Sequence, residues 1–416
     1  MDYTTAIVIF NDRAFGGAPK RYANLFFYLT KKYPGRFYLI VNPHLFKQLK
    51  EIYGDIDTTY IRIVDNNTSG AYALHEKTGV PRHYEYIFTD PYEIDRNSYF
   101  PRKVYWYYKN KLKQYLLFKK TERLRNELNI KIFYGVFSGV LPLVFYINQK
   151  PRRAGIIFSD MDSWFSEVHP DMKTLWYRKY YSFNFALENC DHVNFLNPYI
   201  LEGVKKRGIK IRDDSVSVAP CSFSDYSKCS LGEKKNFEIA FCARLEPDKN
   251  PMLYLEAVNI ISKRHPDIKF HLLGEGSLVG VIKHFIRSNN LSHIVNFSFH
   301  KNPPDIFKES SVFISLQKNT NYPSQSVLEA MACGNATIAT NVGDTKYFIN
   351  SNNGMLIKPN KDELVNALEF LINNKELARN MGNFARRYIM DTHTIERYSQ
   401  YFIELLDKTY KKVFPK

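Results

Sequence analysis

The feature that most constrains this chain is a rhythm that runs from one end to the other: short apolar runs of strand length alternate with amphipathic stretches of helical period. A strand covered on both faces is apolar throughout, whereas a covering helix is apolar along one stripe, so the alternation reads as parallel sheets with helices packed on them. In the first half the strand-like runs are AIVIF from Ala6, RFYLIV from Arg36, TTYIRIV from Thr58, IKIFYGVF from Ile130, AGIIF from Ala154, HVNFL from His192 and SVSVA from Ser215. In the second half they are FEIAFCAR, IKFHLLG, IVNFSFH, SVFISLQ, ATIAT and GMLIKP, with helices predicted from Asp248 to Lys263, from Leu278 and from Ser324. Three further helices follow in series from Lys361.

A chain of 416 residues exceeds one ordinary core and suits two. The polar, aperiodic stretch from Cys221 to Asn236 reads as an interdomain linker. The expected fold class is therefore α/β: two doubly wound, Rossmann-like domains facing each other across a cleft, residues 1–225 and 226–393, with 394–416 as a last helix. Residues 66–118 break the rhythm with TSG, GVPR, TDPY and FPRK turn signals and are expected to be an insertion, leading into a basic helix near Tyr108 to Leu128. Ligands of such sheets bind beyond the carboxyl ends of strands, so the chemistry is expected there.

The formal charge of +16 is unevenly placed, with eleven Lys or Arg between Pro101 and Lys150 against only Glu122 and Glu127. Interleaved with Tyr105, Trp106, Tyr107, Tyr108, Tyr115 and Phe118, this stretch reads either as a surface for an anionic membrane or polyphosphate, or as a solvated helical face with a buried aromatic side. No zinc-finger, homeodomain or RNA-recognition pattern accompanies it, so nucleic acid is not an expected partner. Five cysteines, Cys190, Cys221, Cys229, Cys242 and Cys333, show no CxxC spacing, which speaks against a disulfide framework or zinc site. MDYTTAIVIFNDR has no basic leader, and the expected location is the cytoplasm. Ile132 to Gln149 is uncharged enough to weigh as a membrane span, but Gly135, Ser138, Gly139 and Pro142 make it read as a buried strand running into a short helix.

The most informative segment is SLQKNTNYPSQSVLEAMACGNATIATNVGD, from Ser315 to Asp344. A strand ends at Gln317, and a loop then opens a helix whose first amides, at Ser324, Gln325, Ser326 and Val327, form an anion site suited to a diphosphate. Glu329, one turn on, is placed to accept both hydroxyls of an attached ribose; an ordinary capped helix with a solvated Glu is the plainer reading. Upstream, in FCARLEPDKNP, Arg244 falls at a strand end and Lys249 at the start of the next helix. Their cations suit a leaving pyrophosphate, on which negative charge develops, although such ions at strand ends are usually solvated. In LLGEGS, Gly274 and Gly276 offer bare backbone to a nucleobase at a third strand end.

Together these segments resemble the carboxyl-terminal lobe of retaining glycosyltransferases of family 4, which have the GT-B fold: a strand-end Arg followed by Lys, a GxG loop and a block ending in LEAMACG, in that order. FGGAPKRYANLF, from Phe15, is similar to that family's glycine loop and first helix, with Gly16 and Gly17 facing the cleft. CDHVNFLN from Cys190 and the terminal NNGMLIKP with its helices extend the resemblance over nearly the whole chain except 66–118.

The resemblance implies that Glu329 binds ribose, that Arg244 and Lys249 bind the diphosphate, and that the loop at Ser324 to Ser326 binds the β-phosphate. It further implies a last helix crossing back onto the first domain, retention of configuration, a nucleotide-sugar donor, and no metal or other cofactor. Three departures stand out. Asn321 falls where the family carries an earlier glutamate, which implies an altered sugar preference. Ser159 and Asp160 align with a His-Asp pair, leaving Asp160 as the catalytic candidate and His169 as a nearby substitute. PCSFSD, from Pro220, replaces PNGVD, which alters the contacts expected of Cys221 and Ser222. The expected function is sugar transfer from a UDP- or GDP-sugar to a glycan or lipid-linked acceptor in surface polysaccharide assembly, with peripheral contact at the inner membrane face. The rival is a nucleotide-binding scaffold that does not catalyse transfer.

Overall fold

The computed structural model describes residues 2–10, 16–65, 100–136, 154–160, 187–206, 208–319 and 324–415, together with Val140, Leu143, Val144 and Ile147. They divide into two compact units, one comprising Met1–Pro220 with Ser399–Lys416 and the other Cys221–Tyr398. His169 and Asn321, like residues 66–99 of the expected insertion, lie outside the described residues.

Unit one is built on seven strands, β1 (Thr4–Ile9), β2 (Phe37–Val41), β3 (Ile61–Ile63), β4 (Ile130–Val136), β5 (Gly155–Asp160), β6 (His192–Phe195) and β7 (Val216–Val218). They are ordered β3-β2-β1-β4-β5-β6-β7 with every pairing parallel. Around them run α1 (Gly17–Lys32), α2 (Pro43–Tyr53), α3 (Phe100–Glu127) and α4 (Pro198–Lys206). One face of the sheet buries Ala6, Val8, Phe133, Ile156, Phe158 and Val193 with Leu117 of α3 and Ile200 and Val204 of α4. The run weighed as a membrane span begins inside β4, which is buried between β1 and β5. Among the described residues no helix is long and apolar enough to cross a membrane.

The other face carries a polar chain through an apolar surround. Tyr22 Oη of α1 lies 2.8 Å from Ser159 Oγ and 3.0 Å from Tyr134 Oη. Asn194 Nδ2 donates to Tyr134 Oη at 2.7 Å, and Asn194 Oδ1 accepts from Tyr401 Oη at 2.5 Å. Ser217 Oγ, 2.7 Å from Tyr401 Oη, reaches His192 Nε2 at 3.0 Å. Register places Ser159 beside Asn194 and Asn194 beside Ser217, so the chain follows one row of the pleat. Buried polar groups are tolerated because they satisfy one another, and a hydroxyl on each row fixes which residue must stand opposite.

Unit two has six strands, β8 (Glu238–Cys242), β9 (Lys269–Leu273), β10 (Val295–Ser298), β11 (Val312–Ser315), β12 (Ala336–Thr340) and β13 (Gly354–Ile357), ordered β10-β9-β8-β11-β12-β13 and again parallel throughout. Its helices are α5 (Pro251–Arg264), α6 (Val279–Ser288), α7 (Gln325–Ala332), α8 (Lys361–Asn373) and α9 (Lys375–Thr392), besides the single turn Pro304–Phe307. The final helix, α10 (Ile395–Val413), leaves this unit at Tyr398 and continues as part of unit one. There Phe402 packs edge-on to Tyr134 at 4.7 Å, and Tyr410 stacks on Tyr3 at 4.1 Å.

Three expectations are corrected. The basic helix expected near Tyr108 to Leu128 spans Phe100–Glu127, so it begins at Phe100, within the FPRK stretch read as a turn. The run from Thr58 contributes only three strand residues, because β3 is an edge strand and Ile63 is exposed. The stretch from Cys221 does not start as a solvated linker. Cys221, Ser222, Phe223 and Ser224 are buried in unit two, with Phe223 against Tyr398 at 4.9 Å.

Candidate functional site

A doubly wound sheet leaves a crevice where the strand order reverses, since the connections on either side depart to opposite faces. In unit two that reversal falls between β8 and β11. The residues expected to hold a donor follow these two strands and their neighbour β9: Arg244 comes two residues after β8, Gly274 directly after β9, and Ser324 after β11 at the head of α7.

Arg244 is exposed. The turn beyond it, Pro247–Lys249, is followed by Asn250 in the left-handed region at φ 58°. Lys249 is largely withdrawn, its side chain 11% exposed, and its ammonium donates to Gln317 Oε1 at 2.7 Å and lies 3.1 Å from Asp248 Oδ2. A backbone bond of 2.9 Å from Lys318 N to Asp248 O ties the same two segments. A cation derived from one switch-point strand is thus held against the end of the other.

Gly274 and Gly276 have φ values of +145° and +158°, which an L side chain rarely adopts. A Cβ at Gly274 would collide with the Ala243 carbonyl oxygen, and one at Gly276 with the Leu245 carbonyl oxygen. Sequence reasoning assigned this bare backbone to a nucleobase; the close approach in the structure is to the backbone flanking Arg244. Leu245 N to Glu275 O at 2.8 Å and Leu278 N to Leu245 O at 3.0 Å complete the clasp. Buried Glu246 accepts from Ser277 N at 3.1 Å and Ser277 Oγ at 2.5 Å. The glycine turn and the arginine turn form one rigid piece.

Helix α7 is capped by Ser324, whose Oγ accepts from Val327 N at 3.2 Å. This corrects the expected anion site: the Val327 amide is taken by the cap, leaving Gln325 and Ser326 as the amides of the first turn. The Ser326 hydroxyl lies 3.3 Å from Ser324 Oγ, and Gln325 Nε2 donates to Phe223 O at 2.8 Å. Glu329 is 5% exposed and accepts from Ser224 Oγ at 2.7 Å, so the plainer reading of a solvated Glu does not apply. The far end of the helix is held by Arg386, which donates to Ala332 O, and by Asn335 Nδ2, which donates to Ala330 O at 2.8 Å. A helix amino end and a withdrawn carboxylate on a fixed segment can bind a phosphate oxygen and a diol respectively.

In unit one, Gly16 is the N-cap of α1 and Gly17 its first residue, in the connection after β1, beside the β1/β4 reversal. Asp160 ends β5. Its neighbour Ser159 is 1% exposed, with its hydroxyl bonded to Tyr22. Sequence reasoning missed Gln317, Ser224 and Phe223. The only one-dimensional hint was that PCSFSD supplies hydroxyls where the family pattern has others. Among the described residues no group of three or more His, Cys, Asp or Glu is placed to hold a metal ion.

Residues 225–388 match the sequence profile of "Glycosyl transferases group 1". Unit two is a glycosyl transferases group 1 domain. The chain is 28% identical over 216 residues to an uncharacterized glycosyltransferase of Methanocaldococcus jannaschii, an alignment covering 50% of this chain and 57% of that protein. It is 27% identical over 180 residues to the UDP-Gal:alpha-D-GlcNAc-diphosphoundecaprenol alpha-1,3-galactosyltransferase of Escherichia coli, covering 42% and 46% respectively. The chain thus spans about half the length of the curated relatives it matches. In fold it is similar to Anabaena HepE, crystallised in complex with UDP, with a TM-score of 0.70, 14% identity and coverage of 97% of this chain and 99% of that one. Both Rossmann-like units of this GT-B fold are therefore represented in a solved protein, while the sequence match is concentrated in the group 1 domain.

Proposed function

We propose that the protein is a retaining, metal-independent glycosyltransferase that moves a sugar from a nucleoside diphosphate to a glycan or lipid-linked acceptor in surface polysaccharide assembly. The observation that carries this reading is the Lys249 ammonium, fixed beside Gln317 at the end of β11 in a group 1 domain. In this reading Arg244 and Lys249 neutralise the diphosphate as the glycosidic bond breaks. Gln325 and Ser326 amides, with Ser324, receive the β-phosphate, and Glu329 accepts the ribose hydroxyls. Gly274 and Gly276, whose turn clasps the segment carrying Arg244, border the same donor. The two cations and the α7 amino end supply the positive charge that a magnesium ion supplies elsewhere, so turnover is expected to survive EDTA.

UDP-sugars are the donors to try first, because the Escherichia coli relative is named for UDP-Gal and HepE was crystallised with UDP. The former's diphosphoundecaprenol acceptor supports a lipid-linked acceptor here. The exposed aromatic and aliphatic residues Tyr105, Tyr108, Leu112 and Tyr115, spaced three or four apart on α3 with exposed Lys111 and Lys119, support a peripheral contact with an anionic membrane.

Purified protein incubated with UDP- and GDP-sugars should bind the donor and hydrolyse it slowly. Lys249→Ala should cut turnover about a hundredfold, the scale of one lost transition-state donor, with little change in the denaturation midpoint. A folded sample that neither binds nor cleaves any of the panel overturns the proposal. The scaffold reading draws support from Ser159, whose hydroxyl is committed to Tyr22 inside unit one. Tight UDP binding with no transfer to any acceptor extract would favour it.

A further inference from the structure

We propose that Gln317 is a positioning residue for Lys249, and that its neutrality lets it orient the ammonium towards the donor diphosphate without adding a second countercharge to that of Asp248. The inference rests on the function proposed above, which gives Lys249 its ligand.

Gln317 lies two residues beyond β11, and its backbone is not a loose loop. Its carbonyl accepts from Thr340 Oγ1, at the end of the adjacent strand β12, at 2.6 Å. The next residue, Lys318, donates its amide to Asp248 O at 2.9 Å. The side-chain carbonyl of Gln317 is therefore presented from a backbone pinned on both sides, and its Oε1 stands 2.7 Å from Lys249 Nζ. Lysine carries its charge on four rotatable bonds, so an unheld ammonium would have to be ordered anew each time the diphosphate forms or leaves.

Gln317 and Asp248, both at the Lys249 ammonium, differ in kind. Asp248 is a carboxylate with a side chain 41% exposed, where water screens its pull on the ammonium. Gln317 is an uncharged acceptor for the same ammonium. An amide oxygen orients an ammonium through a charge-assisted hydrogen bond without contributing a countercharge. A carboxylate in the same place would orient it equally well and neutralise it. Gln at this position gives a group meant to meet a developing anion a fixed geometry while adding no countercharge to that of Asp248.

The test compares three variants with the parent full-length chain, reading UDP affinity by calorimetry and UDP-sugar hydrolysis by UDP release. Gln317→Ala removes the anchor without adding charge. It is expected to lower kcat about tenfold while KM moves less than about threefold, because a mispositioned charge is felt most where negative charge is greatest. Gln317→Glu, equal in size, should weaken UDP binding by at least tenfold at pH 8. It should recover part of that loss as the pH is lowered towards the carboxylate range, which the parent should not do. Lys249→Ala should weaken UDP binding by at least about tenfold, beside its loss of about a hundredfold in turnover.

If Lys249→Ala weakens UDP binding while Gln317→Glu binds and turns over like the parent, the positioning role is wrong and the transferase reading stands. If Lys249→Ala binds UDP normally, the reading and the inference fall together. Should Gln317→Ala unfold, Gln317→Asn, which keeps the amide one methylene short, takes its place with the same expected kcat loss; unchanged kcat in that variant overturns the proposal.

Discussion

Ser224 donates to one oxygen of Glu329 inside unit two, and that oxygen is withdrawn from water. Truncation in Ser224→Ala leaves part of a buried carboxylate unserved, which should cost about 1–3 kcal/mol in urea unfolding, together with a weaker response to UDP. Two histidines make stability depend on pH. Burial pushes His192 down to about 4, helped by Lys408 and Lys412, and burial with Arg397 pushes His393 to about 4. Unfolded, each imidazole protonates near pH 6.5, so between about pH 6.5 and 4 the unfolded chain binds protons that the folded chain refuses. Stability should therefore fall as the pH drops through that window, on the order of 2–3 kcal/mol per histidine, and stop falling from this cause below it. The Glu238 carboxyl, held low first by its 2.7 Å bond to His271, adds stability that is lost at still lower pH as Glu238 protonates. Urea denaturation at pH 7, 5.5 and 4.5 checks the sign; a flat profile over that range contradicts it.

At the scale of elements, the glycine turn after β9 and the arginine turn after β8 hold each other. Gly276→Ala places a Cβ into the Leu245 carbonyl and forces an L residue to φ near +158°. The expected result is a loss of about 2–4 kcal/mol and a large fall in donor affinity, through displacement of the segment carrying Arg244. Binding unchanged by that substitution would show that the Arg244 segment is placed by something else. Helix α10 belongs to the core of unit one through Phe402, Leu405 and Leu406, all buried. Tyr401→Phe keeps the ring and removes the hydroxyl that serves Asn194 and Ser217, at an expected cost of about 1–2 kcal/mol measured by thermal or chemical unfolding. Deleting residues 395–416 should leave unit one unable to reach its native near-ultraviolet circular dichroism.

At the scale of the whole molecule, the charge of +16 and the exposed aromatic and lysine residues of α3 predict flotation with liposomes rich in anionic lipid at low salt. Association should weaken as salt shortens the Debye length from about 30 Å at 0.01 M to about 8 Å at 0.15 M, and neutral liposomes should float less protein. A chain that stays at the bottom of the gradient under all conditions rules the contact out. The same scale shows why much of the architecture was legible and much of the candidate site was not. Runs such as IKIFYGVF and ATIAT declare buried parallel strands because both of their faces are apolar, and Ser324 declares a helix start because its cap reaches only to Val327. Polarity misled at Cys221–Ser224, where serine hydroxyls and a phenylalanine are packed inside unit two, and the FPRK turn signal misled at 100–107, which open the basic helix. By itself the sequence determined the order, type and parallel sense of the elements, and which segments stand at strand ends. Those depend on periodicity within a few residues. Only the tertiary structure decided that Lys249 meets Gln317, that Ser224 meets Glu329 and that Tyr401 meets Asn194, 207 positions away. Such pairs arise when the sheets close and bring distant polar atoms to one place, and no local pattern records which acceptor a buried donor will find.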